Sequence, residues 1–231
     1  MDISPLLLSL KTACLATVIT FFAGLWIAYK VIKIKHGKAV LDTILTLPMI
    51  LPPTVVGFFL LLFFGKSSPL GAWLSEHGMP IVFSFAGTVI ASVVVSFPLM
   101  YRTARSAFEQ MDQNLVYAGQ TLGLSNYTIF WKVIFPNCFP GIAGGTILAF
   151  ARALGEFGAT IMLAGNIPGK TQTVAIAVYS AMQNGNRTQA YQWVGVIMLI
   201  SFLSILLMNL VNRQQMKYAI RRKLRCLFGK Y

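Results

Sequence analysis

The chain has 231 residues, of which 56% are hydrophobic and only 11% are charged, whereas a soluble domain carries about a quarter charged residues. This composition excludes an ordinary soluble domain and favours one membrane domain, since runs of about 20 apolar residues can each cross the hydrocarbon layer. The formal net charge of +13 does not indicate nucleic acid binding, because the cations lie between the apolar runs, as the positive-inside rule describes.

The apolar runs predict an all-α fold, a polytopic bundle of about five transmembrane helices in a single domain, 1–231. The predicted spans are 12–29, 39–64, 81–101, 139–164 and 193–211. The first is expected to be a retained anchor rather than a signal peptide, because most of its cations follow the apolar core. The run 174–182 is too short to cross and is predicted to insert in part.

Three prolines interrupt the second run. Pro48, Pro52 and Pro53 remove backbone donors and are predicted to break the helix. A broken membrane helix survives only where protein or a water-filled cavity covers its freed carbonyls. We therefore predict that this span lies inside the bundle. The third run is predicted to end near Pro98, followed by a polar connection, 102–137, that holds no span.

The distribution of cations predicts the orientation. Lys30, Lys33, Lys35 and Lys38 follow the first span, and more cations lie in the connection 102–137 and in the basic tail, 212–231. Since cytoplasmic loops carry the excess of lysine and arginine, an outside N-terminus and a cytoplasmic C-terminus are predicted.

A coupling segment, about 115–136, is the most informative polar stretch. Its pattern is Tyr117-Ala118-Gly119, then Gly123-Leu124, then Pro136. A short helix that ends at Gly123 would let a partner's surface approach closely, because glycine turns without an obstructing side chain. The alternative is an ordinary loop helix on the membrane surface.

A charged pair is predicted within the fourth span. By helix rise, Arg152 lies about 20 Å beyond Phe139, where an unpaired charge is costly. Glu156, at i+4, is placed to neutralise it. Two interpretations stay open, a buried structural ion pair or a lining for the path of an oxyanion. The small residues Gly141 and Gly145 in the same span are predicted to let another helix pack closely.

Catalysis and metal binding are not predicted. The three cysteines lack the paired spacing of a zinc or redox site, and the two histidines are solitary. The spans carry no constellation of nucleophile, base and orienting group. We expect no cofactor on this chain and no enzymatic activity of its own.

The coupling segment resembles the cytoplasmic motif of ABC importer permeases, a Glu-Ala-Ala triplet, three residues, Gly, nine residues and Ile-x-Leu-Pro. Ala118, Gly123 and Pro136 match, while Tyr117 stands where the motif has Glu. The stretches around Pro52, Pro98 and Glu156 resemble the molybdate permeases, with the sulfate and thiosulfate permeases as close relatives.

This resemblance implies the transmembrane subunit of an ATP-driven molybdate importer in the bacterial inner membrane. The implied partners are a cytoplasmic ABC ATPase dimer that binds ATP and Mg, a second permease copy in a homodimer, a periplasmic molybdate-binding protein, and membrane lipid. It also implies that Tyr117, Ala118, Gly119, Gly123, Leu124 and Pro136 couple the chain to the ATPase. The alternatives are a sulfate or thiosulfate permease and, from another class, a passive anion channel.

Overall fold

The computed structural model describes residues 2–34 and 36–228, with side chains as far as Leu210 apart from Met208. Within these ranges all regular structure is helical. The helices are α1 (Ser4–Val31), α2 (Lys38–Ile50), α3 (Pro53–Phe64), α4 (Pro69–Glu76), α5 (Phe85–Glu109), α6 (Gln113–Thr121), α7 (Asn126–Ile129), a π-helical turn (Phe130–Ile134), α8 (Phe135–Leu154), α9 (Gly158–Ala164), α10 (Val174–Gln183) and α11 (Arg187–Phe228). Lys35 and residues 229–231 of the predicted basic tail lie outside the described residues.

The predicted bundle of about five spans is confirmed. Four helical stretches are long and apolar enough to cross a membrane: α1, α5, Asn126–Leu154 and Arg187–Leu207. Helices α2 and α3 make a fifth span if the pair is counted as one, and the helix direction bends by 109° between them. The predicted short apolar element is present as α10, which has 10 residues.

The predicted end of the third span near Pro98 is wrong. Pro98 lies inside α5, which continues to Glu109. Met100, Ala104 and Phe108 recur every four residues along α5 and are buried. Burial of this stripe against α1 and α8 stabilises the helix beyond the proline, although a soluble helix would tend to break there.

The second span is broken as predicted, but not at all three prolines. Pro52 caps α3 and Pro53 occupies its first turn, whereas Pro48 lies inside α2. The prediction that Pro48 breaks the helix is wrong, because α2 ends only two residues later and the proline removes little of the hydrogen-bond ladder. The predicted position inside the bundle holds for the second half of this span only: α3 packs inward through Val56 and Gly57, whereas α2 has no buried residue and lies at the edge of the single chain.

The fourth predicted span, 139–164, consists of two helices. Helix α8 begins earlier, at Phe135, and ends at Leu154, and α9 follows after a break of three residues. The predicted close packing of its small residues is confirmed, because a Cβ on Gly141 would lie 2.7 Å from Ala107 Cβ on α5.

Helix α5 is the centre of the bundle. Its buried side chains join α1 and α8 in one apolar cluster, which includes Ala28, Tyr101 and Ile142. A second cluster joins the first half of α5 to α3 and α9, through Val95, Val56 and Leu163. Both clusters share α5, and the break between α8 and α9 lies where α8, in the first cluster, gives way to α9, in the second.

Candidate functional site

The coupling segment forms the predicted short helix that ends at a glycine. Asp112 caps α6 by accepting a hydrogen bond from Asn114 N at 3.0 Å. At the other end Gly123 has a φ of +72°, its N–H donates to Gln120 O at 2.9 Å, and Leu124 N donates to Gly119 O at 3.1 Å. These two bonds form a Schellman motif, which requires a left-handed residue and so favours glycine.

The segment exposes several large apolar side chains. Tyr117 is 60% exposed and Leu122 is 77% exposed, and Leu115 and Tyr127 are also exposed. Exposed large apolar side chains are candidates for burial against another molecule. The segment thus has the properties of a docking surface.

Two residues expected at the docking surface serve another purpose. Gly119 is buried, and a Cβ there would lie 3.1 Å from Ile129 Cγ1 of the same chain. Its small size lets α6 pack against α7 rather than against a partner. Pro136 lies just after the π-helical turn, within the continuous helix Asn126–Leu154, where it removes one backbone donor from the helix. Ala118, in contrast, is exposed.

A network of ionic and polar side chains adjoins the segment and joins α2 to the end of α5. Lys38 Nζ lies 2.7 Å from Glu109 Oε1, and Arg105 Nε lies 2.9 Å from the same oxygen. Asp42 contacts Arg105 through one carboxylate oxygen and accepts a hydrogen bond from the buried Tyr101 hydroxyl through the other. The network fixes α2 against the helix that leads into α6.

Sequence reasoning missed this network. The i,i+4 spacing of Arg105 and Glu109 was a signal, since such pairs meet on a helix. The contact between Lys38 and Glu109 joins residues 71 positions apart, and no local pattern indicates it.

The two broken helices face each other. A Cβ on Gly158, at the start of α9, would lie 2.9 Å from Pro53 Cβ. A Cβ on Gly57 would lie 2.7 Å from Ala159 Cα. Only glycine permits this approach, which sets the start of α3 beside the start of α9. Broken membrane helices that meet in this way are typical of substrate sites in transporters.

The predicted pair of Arg152 and Glu156 is brought together at this break. Arg152 Nη1 lies 2.6 Å from Glu156 Oε2. Glu156 is 1% exposed, and its Oε1 accepts a hydrogen bond from Ala159 N at 2.7 Å. Its carboxylate therefore contacts Arg152 on α8 through one oxygen and the start of α9 through the other. The Arg152 side chain keeps 32% of its surface exposed.

Comparison with known proteins gives consistent matches. Residues 20–222 match the family described as binding-protein-dependent transport system inner membrane component. The putative molybdenum transport system permease protein YvgM of Bacillus subtilis is 42% identical, with 87% of this chain and 90% of that protein covered. The molybdenum transport system permease protein ModB of Escherichia coli is 40% identical, with 90% and 92% covered. A probable sulfate transport system permease protein of Chlorokybus atmophyticus is 33% identical, with 94% and 76% covered.

Among solved structures, the inward-facing MetNI methionine ABC transporter has a chain with a TM-score of 0.72 to this one. The match covers 91% of this chain and 94% of the other at 14% sequence identity. The two chains therefore share a fold.

Proposed function

The chain belongs to the family of binding-protein-dependent transport system inner membrane components, and from this premise we propose that it is the transmembrane subunit of an ATP-driven importer of molybdate. The observation that supports molybdate as the substrate is the similarity, at 40% and 42% identity, to two permeases named for molybdenum transport. The sulfate-named relative is less similar, at 33%.

The exposed apolar side chains of the coupling segment support docking of a cytoplasmic ABC ATPase dimer. Tyr117 and Leu122 offer side chains that a partner can bury, close in sequence to the helix-ending turn at Gly123. ATP and Mg would be bound by that partner, so this chain needs no cofactor and no catalytic residues. ATP-driven closure of the ATPase pair would move the segment and shift the permease between two states.

Arg152 suits a path for a tetrahedral dianion. A guanidinium carries five N–H donors, and among the described residues Glu156 is its partner. The remaining donors and the exposed third of the side chain can meet an oxyanion at the break between α8 and α9. Because Glu156 offsets most of the positive charge of Arg152, the anion would bind weakly and could be released again.

A second copy of the chain would complete the path. Helix α2 lies at the edge of the single chain, and α3 exposes Phe59 and Phe63 on its outer face. Two such edges around a twofold axis would enclose the breaks between them. A periplasmic molybdate-binding protein would deliver the anion to the outer side of this dimer.

In the orientation that we propose for this inner-membrane protein, the N-terminus is outside and the C-terminus is cytoplasmic. This orientation sets the coupling segment and the basic tail on the cytoplasmic side, where the positive-inside rule expects cations.

Uptake measurements test the substrate. A strain that lacks this gene is expected to lose uptake of trace radiolabelled molybdate while keeping sulfate uptake, and a plasmid copy should restore it. Millimolar molybdate should restore growth that depends on molybdenum enzymes, because sulfate permeases admit a similar dianion when it is abundant. Loss of sulfate uptake with molybdate uptake intact would assign the protein to the sulfate or thiosulfate permeases.

A passive anion channel is the alternative from another class. It would need no ATPase, so uptake should persist when the partner ATPase gene carries an inactive nucleotide site. Abolished uptake in that strain is expected if the chain is an importer subunit.

A further inference from the structure

An aromatic groove lies between α1 and the π-helical turn. It encloses about 480 Å³. Its walls include Phe22, Trp26 and Tyr29 from α1, and Phe130, Trp131 and Phe135 from the other side. Trp26 is 64% exposed and Trp131 is 49% exposed, so the groove opens away from the bundle.

The π-helical turn shapes one wall of the groove. Turns of this kind are rare and often mark functional positions. Here the turn sets the Trp131 ring 5.3 Å from the Phe130 ring and 5.3 Å from the Phe135 ring. The Phe130 ring also lies 4.9 Å from the Tyr29 ring of α1, which closes the floor. The groove is therefore a concave feature built from two elements, not a belt of separate aromatic residues.

Two lysines contact aromatic rings of the groove, and a third is the sequence neighbour of another of its rings. Lys33 Nζ lies 3.9 Å from the centre of the Tyr29 ring, and Lys30 Nζ lies 5.7 Å from the Trp26 ring. Lys132 follows Trp131 in the π-helical turn and is exposed. In the part of the chain with described side chains, none of the three forms an ion pair; the ion pairs there use Lys38, Arg105 and Arg152 instead.

We propose that the groove is a binding site for an anionic phospholipid. The acyl chains would occupy the aromatic groove, and the phosphate would accept hydrogen bonds from the lysine ammonium groups at its rim. A zwitterionic lipid would fill the groove but would leave the three cations without a net negative partner. Charge complementarity thus favours a lipid such as phosphatidylglycerol. The site does not depend on the identity of the transported anion.

Fluorescence quenching by brominated lipid tests the site directly. The full chain would be reconstituted in phosphatidylcholine vesicles on a Trp73→Phe background, which removes the exposed tryptophan elsewhere. Trp193 is buried and contributes constant emission. Brominated phosphatidylglycerol is expected to quench Trp26 and Trp131 at a lower mole fraction than brominated phosphatidylcholine, by about fivefold for each lysine that contacts the head group.

A pair of triple variants separates a site from bulk attraction. Replacing Lys30, Lys33 and Lys132 with Gln should abolish the preference for the anionic lipid. The control replaces Arg102, Arg213 and Lys217 with Gln, which removes the same number of positive charges from the same, proposed cytoplasmic side of the protein, and it should keep the preference.

Three outcomes would overturn the proposal. Equal quenching by the two brominated lipids in the unsubstituted chain would show that the groove does not select charge. Equal loss of preference in both triple variants would show attraction to the whole protein and no site. Absence of quenching by either lipid would show that protein, such as a second copy of the chain, covers the groove.

Discussion

The ion pair between Arg152 and Glu156 leads to a quantitative prediction. Removing the cation by Arg152→Met leaves a carboxylate that is 1% exposed without its partner. Breaking a buried pair destabilises by about 3–5 kcal/mol, and because a third of the arginine side chain is exposed we expect about 3 kcal/mol. Glu156→Gln should destabilise less, by about 2 kcal/mol, since the amide oxygen can still accept the bond from Ala159 N.

The double variant distinguishes a pair from two independent residues. With both charges removed, no uncompensated charge remains at the break between α8 and α9. We expect a destabilisation of about 3 kcal/mol, not the 5 kcal/mol that additivity would give, so the coupling free energy is about 2 kcal/mol. The measurement is reversible unfolding of the purified full chain in mixed micelles with increasing dodecyl sulfate, followed by circular dichroism.

A second cycle on Lys38 and Glu109 is the matched control. These side chains are 32% and 40% exposed, and exposed pairs contribute at most about 1 kcal/mol. If the Arg152 and Glu156 cycle is additive within about 0.5 kcal/mol, the pair does not stabilise the break, and our account of Glu156 as a buried partner is refuted.

Three further predictions concern the docking surface, the close helix approach and the orientation. Gly123→Arg should abolish co-purification of the ATPase while the protein still inserts. The control is Gly185→Arg, at a glycine with nearly the same φ of +71° in an equivalent helix-ending turn, and it should keep the ATPase bound. Equal loss of the ATPase in both variants would indicate backbone strain instead. Gly57→Val should destabilise the chain by roughly 3 kcal/mol in the same micelle assay because its Cβ would meet the backbone of α9, whereas Gly195→Val, which meets nothing within 4 Å, should change stability little. A phosphatase reporter fused after Tyr231 should be inactive and a fluorescent protein there should be bright; the reverse result would contradict a cytoplasmic C-terminus.

The sequence was sufficient for features that depend on local composition. Apolar runs determine where membrane helices form, because each must satisfy its own backbone hydrogen bonds in lipid. The turn at Gly123 was equally predictable, since a left-handed helix end favours glycine. The break near Pro52 followed from two consecutive prolines.

The helix ends that depend on distant contacts were not predictable. Pro98 does not end α5, because neighbouring helices bury the residues that follow it. The fourth predicted span, in contrast, is interrupted at 155–157, between α8 and α9, although it has no proline there. There the carboxylate of Glu156 caps α9, and α9 packs against α3 through Gly57, a contact between residues about a hundred positions apart in the sequence. The packing of α9 against α3 has no signature within the fourth apolar run.

These contacts also identify where a movement of the coupling segment would be felt. Ile129, next to the π-helical turn, and Ala149, near the end of α8, belong to one cluster of buried side chains. Close-packed side chains transmit displacement, so we expect a push on the segment to reach α8 at least as far as Ala149. Helix α9 belongs to the other cluster, with α3. The ion pair between Arg152 on α8 and Glu156 before α9 therefore joins the end of α8 to the helix that packs against α3.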